Sequence, residues 1–466
     1  MANSHVLALN LLCLFVLTIG GSAFRQSPHR FSQLDQCRIQ SLNPLEPNRR
    51  IQHEAGYTDV WDQTSDQIQC AGVAASRHLI EQGGLLLPSF NNAPLLAYVV
   101  QGRGIVGTTL PGCAETFQSS EQTGSAGEQF GSQRFRDQHQ KIHRCRKGDI
   151  VAFQAGVAHW VHNDGNEDLE LMVVHDTSNA DNQLDQNLRR FFLAGSPQET
   201  ERRQEKYGSD HDQEIFSGNL FQGFETEVLA ESFNVDLETA ARLQGQDDNR
   251  GFIVRVGKEF EMQRPSRFEE ERRERSIRNN GGFEETICTM RIRENLDDPE
   301  RADQYTAKGG RISTLNSNNL PILTQIQLSA ERGVLYENAM VAPQWSVNAH
   351  SIIYILRGSG HIQVVGHSNR AVFNGEVRQG QLLVVPQNFA EVKQAGSQGL
   401  EWVSFKTNDK AVSSPLAGRT SVIRAMPEEV VMSAFRLSRD EARRLKNNRQ
   451  EVRIFPRSKR QESERF

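Results

Sequence analysis

The sequence predicts a mainly β protein made of two sandwich or jelly-roll domains, each followed by a small α-helical extension. Short apolar segments separated by turn residues recur along most of the chain, which is typical of sandwiches and jelly rolls. The same series of segments occurs twice, and each series ends in a helical pattern. At 466 residues the chain is long enough for two such domains.

Each series begins with two strands that lead to a Gly-x-Gly turn. The first copy is GLLLPSFNNAPLLAYVVQGRG (residues 84–104), and the second is GVLYENAMVAPQWSVNAHSIIYILRGSG (residues 333–360). In each copy we predict an apolar strand, a polar turn that contains a proline, and a second β-rich strand that closes on Gly-x-Gly.

A second pair of segments continues the repeat. These segments are CRKGDIVAFQAGVAHWVHN (residues 145–163) and VRQGQLLVVPQNFAEV (residues 377–392). Each predicts a glycine turn, a short buried strand and another turn.

Both series end with predicted helices. The tripeptide LAG at residues 193–195 precedes FETEVLAESFNVDLETAARL, and LAG at residues 416–418 precedes MPEEVVMSAFRLSRDEARRL. Apolar residues recur there at intervals of three and four, and Ser438 with Glu441 has the spacing of a capping box.

The N-terminal segment predicts secretion. Residues 1–23 have an apolar middle and end in Gly-Ser-Ala, so we predict a signal peptide cleaved between Ala23 and Phe24. No later apolar run approaches the roughly 20 residues that span a membrane, so we predict no membrane association. Five cysteines remain, Cys37, Cys70, Cys113, Cys145 and Cys288, and in an oxidising compartment they most simply form two bridges and leave one thiol.

Charge divides the chain into an acidic and a basic part. Residues 1–280 carry 28 basic and 38 acidic side chains, whereas residues 281–466 carry 25 and 20, and these sum to the net charge of −5. The basic excess is concentrated in the tail, so we predict a solvated tail and no nucleic-acid partner. Three polar segments, residues 117–140, 195–214 and 258–282, have the composition of exposed loops. The counts of 43 Arg, 38 Gln and 28 Asn give the chain a high nitrogen content.

The segment that begins GDIVAF resembles the second signature of the cupin barrels, in which the position of His159 supplies a metal ligand. The resemblance places the other three ligand positions of the first barrel at Ser89, Asn91 and Leu95. One imidazole without those partners is not expected to hold a catalytic ion, so we predict a barrel-lining histidine and no metal.

The second barrel lacks histidine at every corresponding position. The ligand positions fall near Trp345 and Val347, then at Ser351, with Glu391 at the fourth. We therefore predict no metal, no cofactor and no enzymatic activity. Glu284 and Glu285 do not form an acid/base pair in this prediction, because adjacent strand residues point to opposite faces.

Four phrases together resemble the legumin-type (11S) seed storage globulins of the cupin superfamily, over essentially the whole chain. They are RNNGGFEETICTM (residues 278–290), QCRIQSLNPLEP, GCAETFQ and SPLAGRTSVIRAMPEEV. The resemblance implies a nutrient reservoir for nitrogen, carbon and sulfur, made in the secretory pathway and delivered to the protein storage vacuole. It also implies assembly with copies of itself into trimers and then hexamers.

The resemblance implies cleavage by an asparaginyl endopeptidase between Asn280 and Gly281. It pairs Cys113 with Cys288 across the cut and Cys37 with Cys70 within the acidic chain, which leaves Cys145 unpaired. The additional glycine, Gly282, makes Asn279 a possible secondary cut.

The implied organisation has five parts. These are a signal peptide (1–23), an N-terminal cupin domain with helical extension (24–257), a charged linker (258–280), a C-terminal cupin domain with helical extension (281–445) and a charged tail (446–466). Two alternatives stay open at this point: a metal-dependent cupin oxidase or isomerase, and a carbohydrate-binding cupin. Bound metal would identify the first, and a titration with small sugars would identify the second.

Overall fold

The computed structural model describes most of both predicted barrels. The described residues are 37, 39–115, 117–118, 138–140, 142–196, 218–245, 247–257, 260, 287–288, 290–368 and 370–456. The predicted signal peptide and its cleavage site at Ala23–Phe24 lie outside this set. So do Asn279, Asn280, Gly281, Glu284 and Glu285.

The strands of the first barrel are numbered in chain order. They are β1 (Arg49–His53), β2 (Gly56–Val60), β3 (Val73–Ile80), β4 (Gly84–Asn91), β5 (Leu95–Gln101), β6 (Arg103–Thr109), β7 (Phe117–Gln118), β8 (Gln138–His139), β9 (Ile142–Arg146), β10 (Asp149–Phe153), β11 (Ala158–His162), β12 (Leu169–Asp176), β13 (Arg190–Phe192), β14 (Ile253–Arg255) and β15 (Arg293–Asn295).

These strands form two antiparallel sheets that face each other. One has the order β1-β2-β3-β12-β5-β10-β15, and the other has the order β13-β4-β11-β6-β9 with β14 also on β4. Strands β7 and β8 pair only with each other among the described residues. The strand β10, predicted as short and buried, is buried along its whole length.

The second barrel is one antiparallel sheet of ten strands. They are β16 (Gln304–Thr306), β17 (Gly310–Leu315), β18 (Ser329–Leu335), β19 (Met340–Ser346), β20 (Ser351–Val365), β21 (Ala371–Arg378), β22 (Leu382–Val385), β23 (Ala390–Lys406), β24 (Ser413–Pro415) and β25 (Ile454–Phe455). Register shifts between Ile355 and Arg357 and between Gly358 and Gly360 bend β20, so this strand continues from one face of the barrel to the other.

The predicted turn at Gly-x-Gly is wrong in both copies. In the first copy the chain passes from β5 directly into β6 with only Gly102 between them, and in the second copy Gly358 lies inside β20. Both glycines have positive φ, 82° and 76°. An added Cβ would lie 2.5 Å from the carbonyl oxygen of Asp168 at Gly102. Glycine therefore permits a sharp bend against a neighbouring strand rather than a chain reversal.

The helical extensions are confirmed. The helices are α1 (Asp66–Ala71), α2 (Thr226–Phe233), α3 (Leu237–Gln244), α4 (Leu323–Ile326), α5 (Val422–Ala425), α6 (Glu428–Phe435) and α7 (Arg439–Asn447), with 3-10 turns at Leu220–Gly223 and Pro299–Arg301. The predicted capping box is present, because Ser438 and Glu441 bond each other's backbone at the start of α7. In the first extension, Asp236 caps α3 through the backbone N–H of Thr239 at 2.6 Å.

The two barrels exchange short segments of backbone. Strand β15 pairs with β10 of the first barrel, and the flanking Ile292 and Leu296 are buried there. In return, Leu45 exchanges two backbone hydrogen bonds with Leu382 of the second barrel (2.7 and 2.9 Å), and the N–H of Leu42 donates to the carbonyl of Val372. Each half of the chain therefore completes the other half's barrel.

Barrel interiors and the chain junction

The four cupin ligand positions of the first barrel come together around one cavity. Ser89, Asn91, Leu95 and His159 all line it, and His159 lies directly opposite Ser89 in the β4–β11 pairing. The cavity has a volume of about 30 Å³. The remaining lining residues are His78, Leu86, Ala97, Phe153, Val161, Leu171, Val173, His175, Arg190 and Phe192.

His159 is a buried, hydrogen-bonded imidazole of the barrel lining. Its Nδ1 lies 3.1 Å from the carbonyl oxygen of Val157, and its ring packs against Phe153. Burial, assisted by the charge of Arg190, lowers the pKa of His159 to about 4. The ring is therefore neutral at physiological pH.

Sequence reasoning missed the other polar groups of this cavity. His78 and His175 come from β3 and β12, and Arg190 comes from β13. The available signal was a histidine inside a strand that is buried almost throughout, since β12 is buried at every position but Glu170 and β3 at every position but Arg77 and Leu79. Burial and then the charge of Arg190 also hold the pKa values of His78 and His175 well below the usual range.

A chain of hydrogen bonds orients Arg190. Its Nη2 donates to Ser76 Oγ at 2.7 Å, and its Nη1 lies 3.4 Å from His78 Nε2. A guanidinium can only donate, so His78 Nε2 accepts and His78 Nδ1 carries the proton that reaches Thr58 Oγ1 at 2.9 Å. His53 contacts the same hydroxyl through Nε2 at 3.1 Å.

The residues at the ligand positions do not fit a metal ion. Ser89, Asn91 and Leu95 replace the two imidazoles and the carboxylate that such a site requires, and the lining includes a guanidinium cation. Within the part of the chain that the structure describes, no three His, Cys, Asp or Glu side chains are close enough together to hold a metal.

In the second barrel, Glu391 belongs to a buried network of charges. It forms an ion pair with Lys393, and Gln344 Nε2 lies 3.5 Å from its carboxylate. Arg453 donates to Glu331 at 2.8 Å and to Gln344 Oε1 at 3.0 Å. The residues Glu331, Glu391, Lys393, Lys406 and Arg453 are all buried.

The ammonium group of Lys406 lies beside one of the lost ligand positions. Its Nζ donates to Ser351 Oγ at 2.6 Å, and Ser351 stands where a ligand carboxylate would be. The cationic side chains of this network, Lys393, Lys406 and Arg453, thus lie in the barrel interior, where a metal-binding barrel holds its ion.

The sequence places two ligand positions of the second barrel near Trp345 and Val347, and the structure puts the inward positions one residue earlier in each case. Glu391 pairs with Gln344, as His159 pairs with Ser89, so the inward positions are Gln344 and Ser346. Val347 is exposed instead. The slip arises at Pro343, which lies inside β19 at a register shift between Val341 and Gln344 rather than in the predicted turn.

The cysteines within the described ranges form two disulfides. Cys113 is joined to Cys288 with Cα atoms 5.4 Å apart, and Cys37 is joined to Cys70. Cys145 is a buried thiol, and burial raises its pKa to about 12. It is therefore protonated and poorly reactive in the folded protein.

The helical extensions expose apolar side chains at equivalent positions. Val228 and Phe233 of the first extension are 47% and 51% exposed, and Val430 and Phe435 of the second are 47% and 49% exposed. No helix in the described segments is long and apolar enough to cross a membrane.

Comparison with known proteins identifies a matching family model and proteins of similar sequence. The family model described as Cupin matches residues 42–199 and 294–443. The 11S globulin seed storage protein Ana o 2.0101 of Anacardium occidentale is 49% identical, over 95% of this chain and 96% of its own length.

Solved structures of similar sequence also include 11S globulins. The crystal structure of the coconut allergen cocosin has a TM-score of 0.79 and 48% identity, and covers 91% of this chain and 100% of its own. A recombinant pro-11S globulin of pumpkin has a TM-score of 0.78 and 46% identity, with coverages of 91% and 100%. Tomato vicilin, at 16% identity and a TM-score of 0.63, shares the fold.

Proposed function

Since the chain belongs to the 11S seed storage globulins of the cupin superfamily, which are reservoir proteins rather than enzymes, we propose that it is a nutrient reservoir made as a precursor. An asparaginyl endopeptidase cuts the precursor between Asn280 and Gly281, and the acidic and basic chains stay joined by a disulfide. A similar protein, that of pumpkin, has been solved as a pro-11S globulin.

The observation that carries this proposal is the disulfide between Cys113 and Cys288. These cysteines are 175 residues apart and lie on opposite sides of the proposed cut. The cut therefore leaves the two chains covalently joined. Residues on both sides of the junction are also held in the first barrel, which supports a cut that leaves the fold in place.

The exposed apolar positions of the helical extensions support self-assembly. The two patches, around Val228 and Phe233 and around Val430 and Phe435, lie at different places on one protomer and are built alike. Contact between the first patch of one copy and the second patch of the next is head-to-tail, and such contacts form a ring when the rotation between neighbouring copies closes. We propose trimers formed in this way, which pair into hexamers after the cut.

Composition supports the reservoir role. Arg, Gln and Asn make up 43, 38 and 28 of the 466 residues, and each of these side chains contains nitrogen. We propose that the signal peptide, removed between Ala23 and Phe24, directs the chain through the endoplasmic reticulum to protein bodies of the seed. Degradation at germination then releases the stored nitrogen, carbon and sulfur.

N-terminal sequencing of the chains purified from mature seed tests the proposal. On a denaturing gel we expect one band without reductant and two bands with reductant. The smaller chain should begin at Gly281 and the larger at Phe24. A start at Asn280 on part of the smaller chain would reveal secondary cleavage after Asn279.

The Cys113→Ser precursor, cut in vitro by an asparaginyl endopeptidase, is the matched test of the linkage. It should give two bands without reductant, whereas Cys145→Ser should still give one. A single intact chain in mature seed, or linked chains in the Cys113→Ser protein, would overturn the proposal.

A further inference from the structure

The turn that carries Cys113 lies directly after β6. It runs from Leu110 to Cys113 and is closed by a hydrogen bond of 3.2 Å from the N–H of Cys113 to the carbonyl oxygen of Leu110. Pro111 at its second position and Gly112, with φ of 78°, at its third are the residues that a type II turn favours. Cys113 is half-buried and its disulfide partner Cys288 is exposed, so small reagents in solution can reach the bond.

Gln140 binds this turn from a distant part of the chain. Its Oε1 accepts the N–H of Leu110 at 2.7 Å. Its Nε2 donates to the carbonyl oxygen of Leu110 at 2.9 Å and to that of Cys113 at 2.8 Å. The side-chain amide therefore uses both its acceptor and its donors, and it holds the two ends of the turn together.

The place of Gln140 follows from the pairing of β6 with β9. The last pair in that register joins Gly107 to Ile142, and Leu110 and Gln140 continue the two strands beyond it. With Leu110, the amide of Gln140 forms the two hydrogen bonds that a paired backbone residue forms in an antiparallel ladder. Gln140 thus fastens the turn to the sheet through three bonds, and none of these involves Cys288.

From these contacts we infer that Gln140 is a positioning residue for the disulfide between Cys113 and Cys288, because it orders the turn before the sulfur atoms meet. When glutathione disulfide oxidises this pair, the two thiols lose two electrons and two protons, their sulfur atoms join, and two molecules of reduced glutathione form. A turn that is already ordered loses less conformational entropy when the bond forms. The role goes beyond nutrient storage and applies to the uncut precursor.

Redox equilibria of the uncut precursor test this role. The wild type and Gln140→Ala are equilibrated with mixtures of reduced and oxidised glutathione, free thiols are alkylated, and the oxidised fraction of each cysteine pair is measured by mass spectrometry. Gln140→Ala should lower the equilibrium constant for joining Cys113 to Cys288 by about tenfold, the worth of about one net hydrogen bond. The bond between Cys37 and Cys70, measured in the same samples, should keep its wild-type constant.

Two further variants separate hydrogen bonding from packing. Gln140→Glu has nearly the same shape, but its carboxylate cannot donate to the two carbonyl oxygens, so it should lower the constant at least as much as Gln140→Ala. Gln183→Ala is the matched control and should behave as the wild type. The amide of Gln183 also bonds a turn carbonyl, that of Ala180 at 2.7 Å, but it lies between β12 and β13. A wild-type constant in either Gln140 variant, or an equal loss at Cys37–Cys70, would overturn the inference.

Hydrogen exchange tests whether the order of the turn precedes the bond. In Cys288→Ser, which cannot form this disulfide, the peptide that contains Leu110 should still exchange slowly, and adding Gln140→Ala should speed its exchange by about tenfold or more. The first of these measurements keeps Gln140 and so does not depend on how its variants fold. Fast exchange in Cys288→Ser itself would mean that the disulfide orders the turn, and would contradict the inference.

Discussion

Glu331 is the residue whose environment decides how the second barrel responds to acid. Its carboxylate accepts a hydrogen bond from Arg453 at 2.8 Å inside the barrel. Burial opposes ionisation of Glu331, but the charges of Arg453, Lys406 and Lys393 outweigh it and lower its pKa to about 2. Protonation of Glu331 would leave these cations buried without one of their counter-charges.

This shift predicts an acid-dependent loss of stability. The pKa of Glu331 is below its ordinary value of 4.5, so its contribution to the free energy of unfolding is complete above pH 4.5 and is lost as the pH falls towards 2. The free energy of unfolding, measured with urea between pH 6 and pH 2.5, should therefore fall more steeply with decreasing pH for the wild type than for Glu331→Gln. Glu376→Gln, at an exposed position of β21, should follow the wild type. Parallel curves for Glu331→Gln and the wild type would contradict this assignment.

At the residue scale, sequence reasoning located some of these groups and missed others. The cupin signature located His159, Ser89, Asn91 and Leu95 around one cavity, because these positions share a motif of fixed spacing. Arg190 carried no such signal, since β13 is only three residues long and follows a long loop. The ion network of the second barrel joins Glu331, Glu391 and Arg453 from distant parts of the chain, and only the fold reveals their proximity.

Among the elements, the short buried strands β10 and β22 depend on the glycine turns that precede them. Gly148 and Gly380 both adopt φ of 87°, a conformation that strains other residues. Their surroundings differ. A Cβ on Gly148 would lie 2.5 Å from Cβ of Asp297, whereas one on Gly380 would meet no described atom within 4 Å.

These two glycines form a matched pair for mutation. Gly380→Ala should lower the free energy of unfolding by about 1–2 kcal/mol, because only backbone strain is added. Gly148→Ala should cost more, because it also displaces Asp297, whose carboxylate bonds Arg332 at 2.6 Å and Tyr98 at 3.1 Å. Urea denaturation midpoints of the two variants measure the difference, and equal losses would show that Asp297 moves without cost.

The repeated elements were predictable because each has its own local pattern. Strand periodicity, the glycine turns and the capping box of Ser438 act within a few residues, and the structure contains them where the sequence places them. The Gly-x-Gly bends and the shift at Pro343 were not predictable in the same way. Whether a glycine reverses the chain or bends a strand depends on the neighbouring strand, such as the carbonyl of Asp168 beside Gly102.

For the whole molecule, the duplication extends to the contact between the barrels. Arg332 Nε lies 3.2 Å from the hydroxyl of Tyr98, and Arg77 Nη1 lies 3.3 Å from the hydroxyl of Tyr354. Tyr98 and Tyr354 occupy corresponding positions of β5 and β20, so each barrel supplies an arginine to the other's tyrosine. A continuous apolar core also crosses this contact, which makes the two barrels one packed body.

The segments that the two barrels exchange would hold the acidic and basic chains together in addition to the disulfide. After a cut between Asn280 and Gly281, strand β15 of the basic chain still pairs with β10 of the acidic chain, where Asn295 Nδ2 donates to Asp149 at 2.7 Å. The residues around Leu45 of the acidic chain still pair with the second barrel. These contacts need no covalent bond, so the disulfide adds to an association that the fold already provides.

We therefore expect the two chains to stay together without Cys113–Cys288 as long as they are folded. The Cys113→Ser precursor, cut in vitro at the junction, should elute from a native sizing column in the presence of reductant at the same volume as the cut wild type. Both should separate into two chains in denaturant.

An Ile292→Asp change in the Cys113→Ser protein puts a charge into the buried end of this segment and should cause dissociation under native conditions. The exposed Glu300→Lys change is the control and should not. Separation of the Cys113→Ser chains in native buffer would mean that the disulfide, rather than the exchanged segments, holds the molecule together.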